Sequence, residues 1–102
     1  EANLSRASLT DAVMFNAVLH GAGMNGVEVR RVDLEGGHMS GADLTLGNLF
    51  EANLSKVHLR GANLSNADLT SADLRDADLT GAILDGADLT GTIMPDGTKN
   101  QV

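Results

Sequence analysis

One five-residue pattern occurs twice in succession in the stretch ANLSNADLTS, at residues 62–71. A small residue comes first, Asn or Asp second, Leu third, and Ser or Thr fourth. The spacing extends in both directions, because an aliphatic residue occupies every fifth position from Leu4 to Met94. Alanine or another small residue stands two positions before most of these aliphatic residues. The chain is therefore built from an internal repeat with a period of five.

A period of five matches neither the 3.6 residues of a helical turn nor the alternation of a long flat strand. It favours a short extended step followed by a corner. Within each step the small and aliphatic residues are two apart, so both point inward, while the Asn or Asp between them points outward. The predicted core includes Leu44, Leu49, Leu54, Leu59, Leu64, Leu69, Leu74 and Leu79.

A longer period of 20 residues sets the number of steps in one coil. Glycine recurs at corner positions 21, 41, 61 and 81, where a corner can require a positive φ. Inward residues of different size also compensate at this spacing: Val27 is expected beside Gly47, and Gly37 beside Val57. Close packing requires large against small in neighbouring layers. We therefore predict four steps per coil.

The segments Ala62-Asn63-Leu64-Ser65-Asn66 and Ala67-Asp68-Leu69-Thr70-Ser71 resemble the Ala-(Asp/Asn)-Leu-(Ser/Thr)-X unit of the pentapeptide-repeat family. The resemblance implies an all-β fold, a right-handed quadrilateral β-helix with about 20 residues per coil. Residues 1–96 are predicted to form this solenoid and residues 97–102 a polar, loose C-terminal tail. Pro95 cannot donate a ladder hydrogen bond and is expected to stop the coil. The ending Met94-Pro95-Asp96-Gly97 is similar to that of cyanobacterial members.

Composition argues against several classes of function. The chain carries 14 acidic and 7 basic residues, a net charge of −7, whereas direct nucleic-acid binding needs a basic surface. There is no cysteine, and no apolar run approaches the roughly 18 residues of a membrane-spanning helix. We expect a soluble protein and favour the cytoplasm. The thylakoid lumen or periplasm stays open if an N-terminal signal has been removed.

The pattern predicts neither enzyme activity nor a cofactor. A convex prism with a filled interior offers no pocket, and no Ser, His and Asp set suggests a nucleophile. The stretch GAGMNG at residues 21–26 matches a dinucleotide-binding motif, but it lies within the five-residue repeat rather than between a strand and a helix. His38 and His58 stack with His20 nearby, and imidazoles can hold zinc or nickel. The ligands lack the spacing of a known motif, so no metal site is predicted.

Apolar and basic residues interrupt the polar exterior of the first half. They define a candidate contact site for another protein, whose identity the sequence does not give: Phe15, Leu46, Phe50, Arg30 and Arg31. We expect the three apolar side chains to be exposed, Arg30 to stack on Phe50, and Arg31 to pair with Glu51. A contiguous apolar patch would mark a contact site, whereas isolated surface apolars are ordinary.

Aspartate is concentrated in the second half of the chain. Residues 61–96 contain seven aspartates and one arginine, a net charge of −6. The candidate acidic face consists of Asp68, Asp73, Asp78 and Asp88. Aspartate before the central leucine is the usual residue of the family, so the repeat alone can account for it. The alternative is a stripe that imitates the DNA backbone.

Two functions from different classes follow. The favoured one is a non-catalytic scaffold that presents flat faces to another protein. The alternative rests on the resemblance, since some pentapeptide-repeat proteins bind DNA gyrase as DNA mimics and modulate quinolone sensitivity. This chain departs from those members in its short length, its lack of a loop insertion and its lack of an apolar C-terminal helix. An uncapped coil end also leaves end-to-end self-association open, and the chain can equally be a segment of a larger protein.

Overall fold

A computed structural model describes residues 2–100. These residues form a prism with principal extents of 33 × 25 × 19 Å. Its regular structure consists of parallel bridges, each one residue long, that join positions 20 residues apart from Asn3–Gly23 to Asp73–Ile93. No longer strand and no helix is present within the described residues, and hence none of them lies in a helix that could cross a membrane. The 20-residue coil predicted from the sequence is confirmed.

The bridges divide the surface into four faces, which we name by their bridged columns. The first face contains residues 3, 23, 43, 63 and 83; the second contains 8, 28, 48, 68 and 88; the third contains 13, 33, 53, 73 and 93; the fourth contains 18, 38, 58 and 78. Positions two and three residues after each bridged residue complete the same face. The surface side chains are therefore ordered both along and across the coils.

One repeat accounts for all five of its backbone N–H groups, as residues 63–67 illustrate. The Asn63 N–H donates to the Ala42 carbonyl in the preceding coil (2.9 Å), and the Leu64 N–H donates to the Ile83 carbonyl in the following coil (2.7 Å). The N–H groups of residues 66 and 67 bond to the carbonyls of Asp85 and Leu64. The remaining N–H, on Ser65, donates to Oδ1 of Asn63 (3.0 Å). An Asn or Asp at the bridged position thus satisfies a donor that the coil ladder does not use.

The corner of every step has a positive φ. Eight glycines occupy corners, and ten other residues, including Leu46, Lys56 and Asn66, adopt φ between 54° and 65° there. Left-handed backbone costs a residue with a Cβ about 1–2 kcal/mol. From Arg6 to Asp76, each corner N–H donates to a carbonyl of the next coil, and these bonds offset the backbone cost.

The interior is a stack of aliphatic residues flanked by small ones. The predicted core leucines from Leu44 to Leu74 are fully buried. Leu79 is only partly buried, because no coil covers it on the fourth face. A Cβ added to Gly47 would meet Val27 Cγ1 at 3.6 Å, and one added to Gly37 would meet Val57 Cγ2 at 3.7 Å. The predicted compensation of large and small residues is therefore confirmed.

The C-terminal segment differs from the sequence expectation. Pro95 follows the central aliphatic residue of its repeat, and the N–H at this position of the repeat makes no backbone hydrogen bond to a neighbouring coil. The missing N–H of proline therefore removes no bond between coils. Its carbonyl even continues the ladder by accepting from the Asp76 N–H (3.0 Å). The coil ends instead at a turn where Gly97 has φ 88°.

After this turn, Lys99 forms an antiparallel bridge with Ile93. The N–H groups of Gly91 and Met94 donate to the carbonyls of Asn100 and Thr98, at 2.6 and 2.7 Å. The expectation of a loose tail is therefore wrong for residues 97–100, because open ladder groups of the third face bind them. Residues 101 and 102 lie outside the described residues.

At both ends of the stack of coils, some of the backbone groups that would bond to a neighbouring coil have no intramolecular partner. Within residues 2–100 these include the N–H groups of Val13 and Val18 in the first coil, and those of Leu84 and Leu89 in the last. The folded-back segment covers only the third face of the last coil. A second copy continuing the coil at this end would meet that segment, whereas the edge of the first coil carries no such obstruction within the described residues.

Candidate interaction surfaces

The described part of the chain has no pocket or cleft. Every buried side-chain nitrogen or oxygen atom in it has a hydrogen-bond partner. Thr92, for example, is fully buried and donates from Oγ1 to the Leu69 carbonyl at 2.6 Å. Any interaction site among these residues must therefore lie on the outer faces.

The candidate apolar residues do not form one patch. Phe15 is 59% exposed and belongs to the third face of the first coil, next to Val13 and Val18, which are also exposed. Leu46 is 60% exposed and occupies a corner of the third coil, between the first and second faces. About one and a half coils, roughly 7 Å along the axis, separate it from Phe15. The exposed apolar residues of the first coil are therefore Val13 and Phe15 on the third face and Val18 on the adjacent fourth face.

Phe50 is half-buried rather than exposed, contrary to the sequence expectation. The guanidinium carbon of Arg30, one coil earlier in the same column, lies 5.8 Å from the ring centroid. The predicted stacking of Arg30 on Phe50 is thus confirmed, and it leaves less of the ring for a partner. The interaction of a cation with an aromatic face is favourable, so the Arg30–Phe50 contact stabilises the packing of two adjacent coils.

Arg31 bonds to the preceding coil rather than the following one. Its Nε and Nη2 donate to the two carboxylate oxygens of Asp11, at 2.7 and 3.1 Å. The predicted Arg31–Glu51 pair is therefore wrong, although Glu51 lies close enough to raise the pKa of Arg31 further, after Asp11. The hydrogen bond from Arg31 is the main cause that lowers the pKa of Asp11.

The candidate acidic residues are spread over three faces. Asp68 and Asp88 are bridged to each other on the second face, whereas Asp73 lies on the third and Asp78 on the fourth. The second face carries five acids and two arginines, a net charge of −3. The structure therefore brings together Asp68 and Asp88 and separates the other two from them.

Local hydrogen bonds lower the pKa of three of these carboxyl groups, those of Asp73, Asp78 and Asp88. The Thr90 hydroxyl and N–H lower the pKa of Asp88, and the Thr80 hydroxyl and N–H lower the pKa of Asp78. For Asp73 the main cause of the lowered pKa is the hydrogen bond from Arg75, whose Nη2 lies 2.7 Å from Oδ2. Every one of these bonds favours the charged carboxylate, so the acidic surface is a fixed feature at neutral pH.

All three histidines of the chain lie on the fourth face. The His38 and His58 rings are nearly parallel, with an interplanar angle of 6° and centroids 4.8 Å apart. The His20 ring meets His38 edge to face, with centroids 5.6 Å apart. Among residues 2–100, no three histidine, cysteine, aspartate or glutamate side chains are grouped as ligands of one metal ion. The column spacing predicts the neighbourhood of the rings, but side-chain torsions set their angles.

Sequence reasoning missed two features of these faces. Ile83 is 43% exposed on the first face, where its position replaces the usual Asn or Asp and could have identified it. The hydrogen bonds that bridged Asn and Asp side chains accept from the N–H two residues later were also missed. The regular occurrence of Asn or Asp at this position is the signal that could have revealed them.

The family's sequence model, described as "Pentapeptide repeats", matches the chain in eight copies over residues 1–28, 28–66, 48–86 and 58–94. The chain belongs to the pentapeptide-repeat family. No curated protein matches this pentapeptide-repeat chain as a relative.

Several solved structures are similar to it. The pentapeptide-repeat protein alr5209 of Nostoc Pcc 7120 is 35% identical, with a TM-score of 0.76 over 78% of this chain and 65% of its own. Rfr23 of the cyanobacterium Cyanothece 51142 is 34% identical, with a TM-score of 0.52 over 91% of this chain and 60% of its own. Trypsin-treated QnrB1 carrying R167E, a plasmid-mediated fluoroquinolone resistance protein, is 25% identical, with a TM-score of 0.79 over 90% of this chain and 44% of its own. The chain spans less than two thirds of the length of each.

Proposed function

We propose that this pentapeptide-repeat protein is a non-catalytic scaffold that binds another protein through its outer faces. The exposed cluster of Val13, Phe15 and Val18 is the observation that carries the proposal. These side chains point away from the core, so packing does not require them to be apolar. A filled interior without a pocket further supports a surface role. We take the coil to be right-handed, as in the family it belongs to.

Affinity capture from a lysate of the source organism tests this proposal with a matched pair of variants. Phe15→Ser removes the largest side chain of the cluster. Leu46→Ser removes an equally exposed apolar side chain on a different part of the prism. We expect a partner retained at high salt, lost with Phe15→Ser and kept with Leu46→Ser. Equal capture by both variants would contradict a contact at the first coil.

A second candidate function is modulation of DNA gyrase or another topoisomerase by DNA mimicry. The bridged Asp68–Asp88 pair on a face of net charge −3, and the likeness to a fluoroquinolone resistance protein, favour it. The spread of the remaining aspartates over other faces makes it the weaker candidate. The direct test is gyrase supercoiling with and without a quinolone.

Under the mimic proposal, wild-type protein changes supercoiling at low salt and Asp68→Asn/Asp88→Asn loses the effect, because charge attraction is screened by salt. Asp43→Asn, on the first face, provides the control. No effect of the wild-type protein at low salt would rule the mimic out.

A further inference from the structure

The fourth face differs from the others in its chemistry. Its column runs Val18, His38, His58 and Asp78, and its corner positions 21, 41, 61 and 81 are all glycine. A Cβ placed on Gly41 or Gly61 would meet nothing within 4 Å. The imidazoles are therefore flanked by a corner without side chains and are open to approach from solvent.

We propose that His38 and His58 chelate one divalent transition-metal ion of the kind that imidazole prefers, such as Zn²⁺. The two residues are bridged in adjacent coils, so the backbone fixes their separation. Their rings are parallel within 6° and 4.8 Å apart. Both side chains thus leave neighbouring rungs on the same face, and the two rings must turn toward each other for their in-plane lone pairs to meet at one ion.

The ring spacing is close to that of a chelate. Zinc binds imidazole nitrogen at about 2.0–2.1 Å, which places two nitrogens of a tetrahedral site about 3.4 Å apart. The ring centroids are 4.8 Å apart, so the coordinating nitrogens must converge as the rings turn toward each other. Rotation of the side chains supplies this movement, because His58 is exposed and His38 is only half-buried.

The neighbouring charges permit a cation at this point. Arg60 is the one basic side chain on the fourth face other than the histidines, and its Nη1 lies 3.8 Å from Oδ2 of Asp78. This ion pair offsets the arginine's charge. The Asp78 carboxylate follows His58 in the column, where it can attract the ion or bind a water ligand. The net charge of −7 further favours cations near the surface.

Two protein ligands leave the other coordination positions of the ion to water or to a ligand from another molecule. His20 meets His38 edge to face but is not a bridged residue, so the backbone does not pair it with either histidine as it pairs His38 with His58. The chelate is therefore assigned to two imidazoles rather than three. This agrees with the absence of a three-ligand group among residues 2–100.

Isothermal titration with Zn²⁺ alone, on protein without an affinity tag at pH 7.5, tests the assignment. We expect saturable binding of one ion below millimolar concentration, and at least about tenfold weaker binding in His38→Asn and in His58→Asn. His20→Asn is the matched control, with the same chemical change on the same face, and it should bind like wild type. Wild-type protein should also gain thermal stability with Zn²⁺, because the ion binds only the folded coil arrangement.

A gain of affinity separates loss of a ligand from loss of the fold. Asp78→His extends the column to three imidazoles in adjacent coils and should tighten Zn²⁺ binding. The melting temperatures without metal should be similar in the three Asn variants and the wild type. Absence of saturable binding, or equal weakening by His20→Asn and His58→Asn, would overturn the two-histidine chelate.

Discussion

The side chain of Asn66 covers Gly86 in the next coil and occupies the space that a Cβ on Gly86 would need. Both residues are corners with positive φ, at 59° and 72°. The same arrangement occurs at the opposite corner of the prism, where Asn16 lies over Gly36. The choice between glycine and a larger residue at a corner therefore depends on the corner stacked against it, as well as on its own φ.

Two alanine substitutions separate these contributions. Gly61→Ala meets no atom within 4 Å, so it should cost only the left-handed backbone penalty, about 1–2 kcal/mol. Gly86→Ala should cost more, because Oδ1 of Asn66 must also move. Chemical denaturation of both variants measures the difference in free energy of unfolding. Adding Asn66→Gly to Gly86→Ala should recover the excess cost, and equal losses in the two single variants would contradict this account.

Truncation of the central core should be far more damaging than truncation near the end. Leu64→Ala removes methyl groups from a fully buried site and should lower the free energy of unfolding by about 2–5 kcal/mol. Leu89→Ala should cost less, because Leu89 is only partly buried in the last coil. Urea denaturation of the two variants makes the comparison. Equal losses would indicate that the last coil is covered in solution.

The outward asparagine of a repeat should contribute through the hydrogen bonds that its Oδ1 accepts, which for Asn63 come from the N–H and the hydroxyl of Ser65. Asn63→Ala leaves the Ser65 N–H without its Oδ1 acceptor and should cost about 0.5–1.5 kcal/mol in unfolding free energy. Asn63→Asp keeps an acceptor at the same place and should be close to neutral, since Asp43 bonds to Thr45 in this way one coil earlier. A loss as large in the aspartate variant would show that the acceptor is not what matters.

Stability should fall on acidification below about pH 4, the ordinary range of an aspartate pKa. The pKa values of Asp43, Asp78 and Asp88 are lowered in the folded protein, mainly by threonine hydroxyls two residues later. Carboxyl groups with a lowered folded pKa contribute stability above their unfolded pKa. They lose it as the pH falls through the folded value.

Urea midpoints at pH 7, 5 and 3 measure this dependence. The midpoint should be similar at pH 7 and 5 and lower at pH 3. Replacing the three threonines at positions 45, 80 and 90 with valine should reduce the drop. A midpoint that rises at pH 3 would mean that relief of repulsion among the acids outweighs the lost hydrogen bonds.

The repeat predicts which residues are neighbours where the backbone alone determines their positions. It does not predict which of two equivalent partners a side chain binds. Val27 beside Gly47 could be predicted, because the 20-residue coil places their inward Cα atoms in adjacent layers. Arg31, in contrast, has Asp11 one coil before it and Glu51 one coil after it. The coil spacing is the same in both directions, so only the side-chain torsions decide in favour of Asp11.

The C-terminal segment and Phe50 illustrate two other limits. Nothing in the repeat indicates that residues 98–100 reverse direction, because their partners are open ladder groups at the coil end rather than side chains of a recognisable pattern. Phe50 is half-buried, and the Arg30 guanidinium lies over its ring. An outward position in the repeat does not by itself make a side chain exposed, because a side chain of a neighbouring coil can cover it.

The constant separation of 20 residues across the parallel bridges also shapes how the chain reaches its folded state. Each new coil closes a loop of the same length, so the entropy lost per coil is nearly constant along the chain. No parallel bridge requires segments that are far apart in the sequence to meet. Once two central coils have formed, the remaining coils can add one at a time in either direction, and unfolding should begin at the ends, where a coil has a neighbour on one side only.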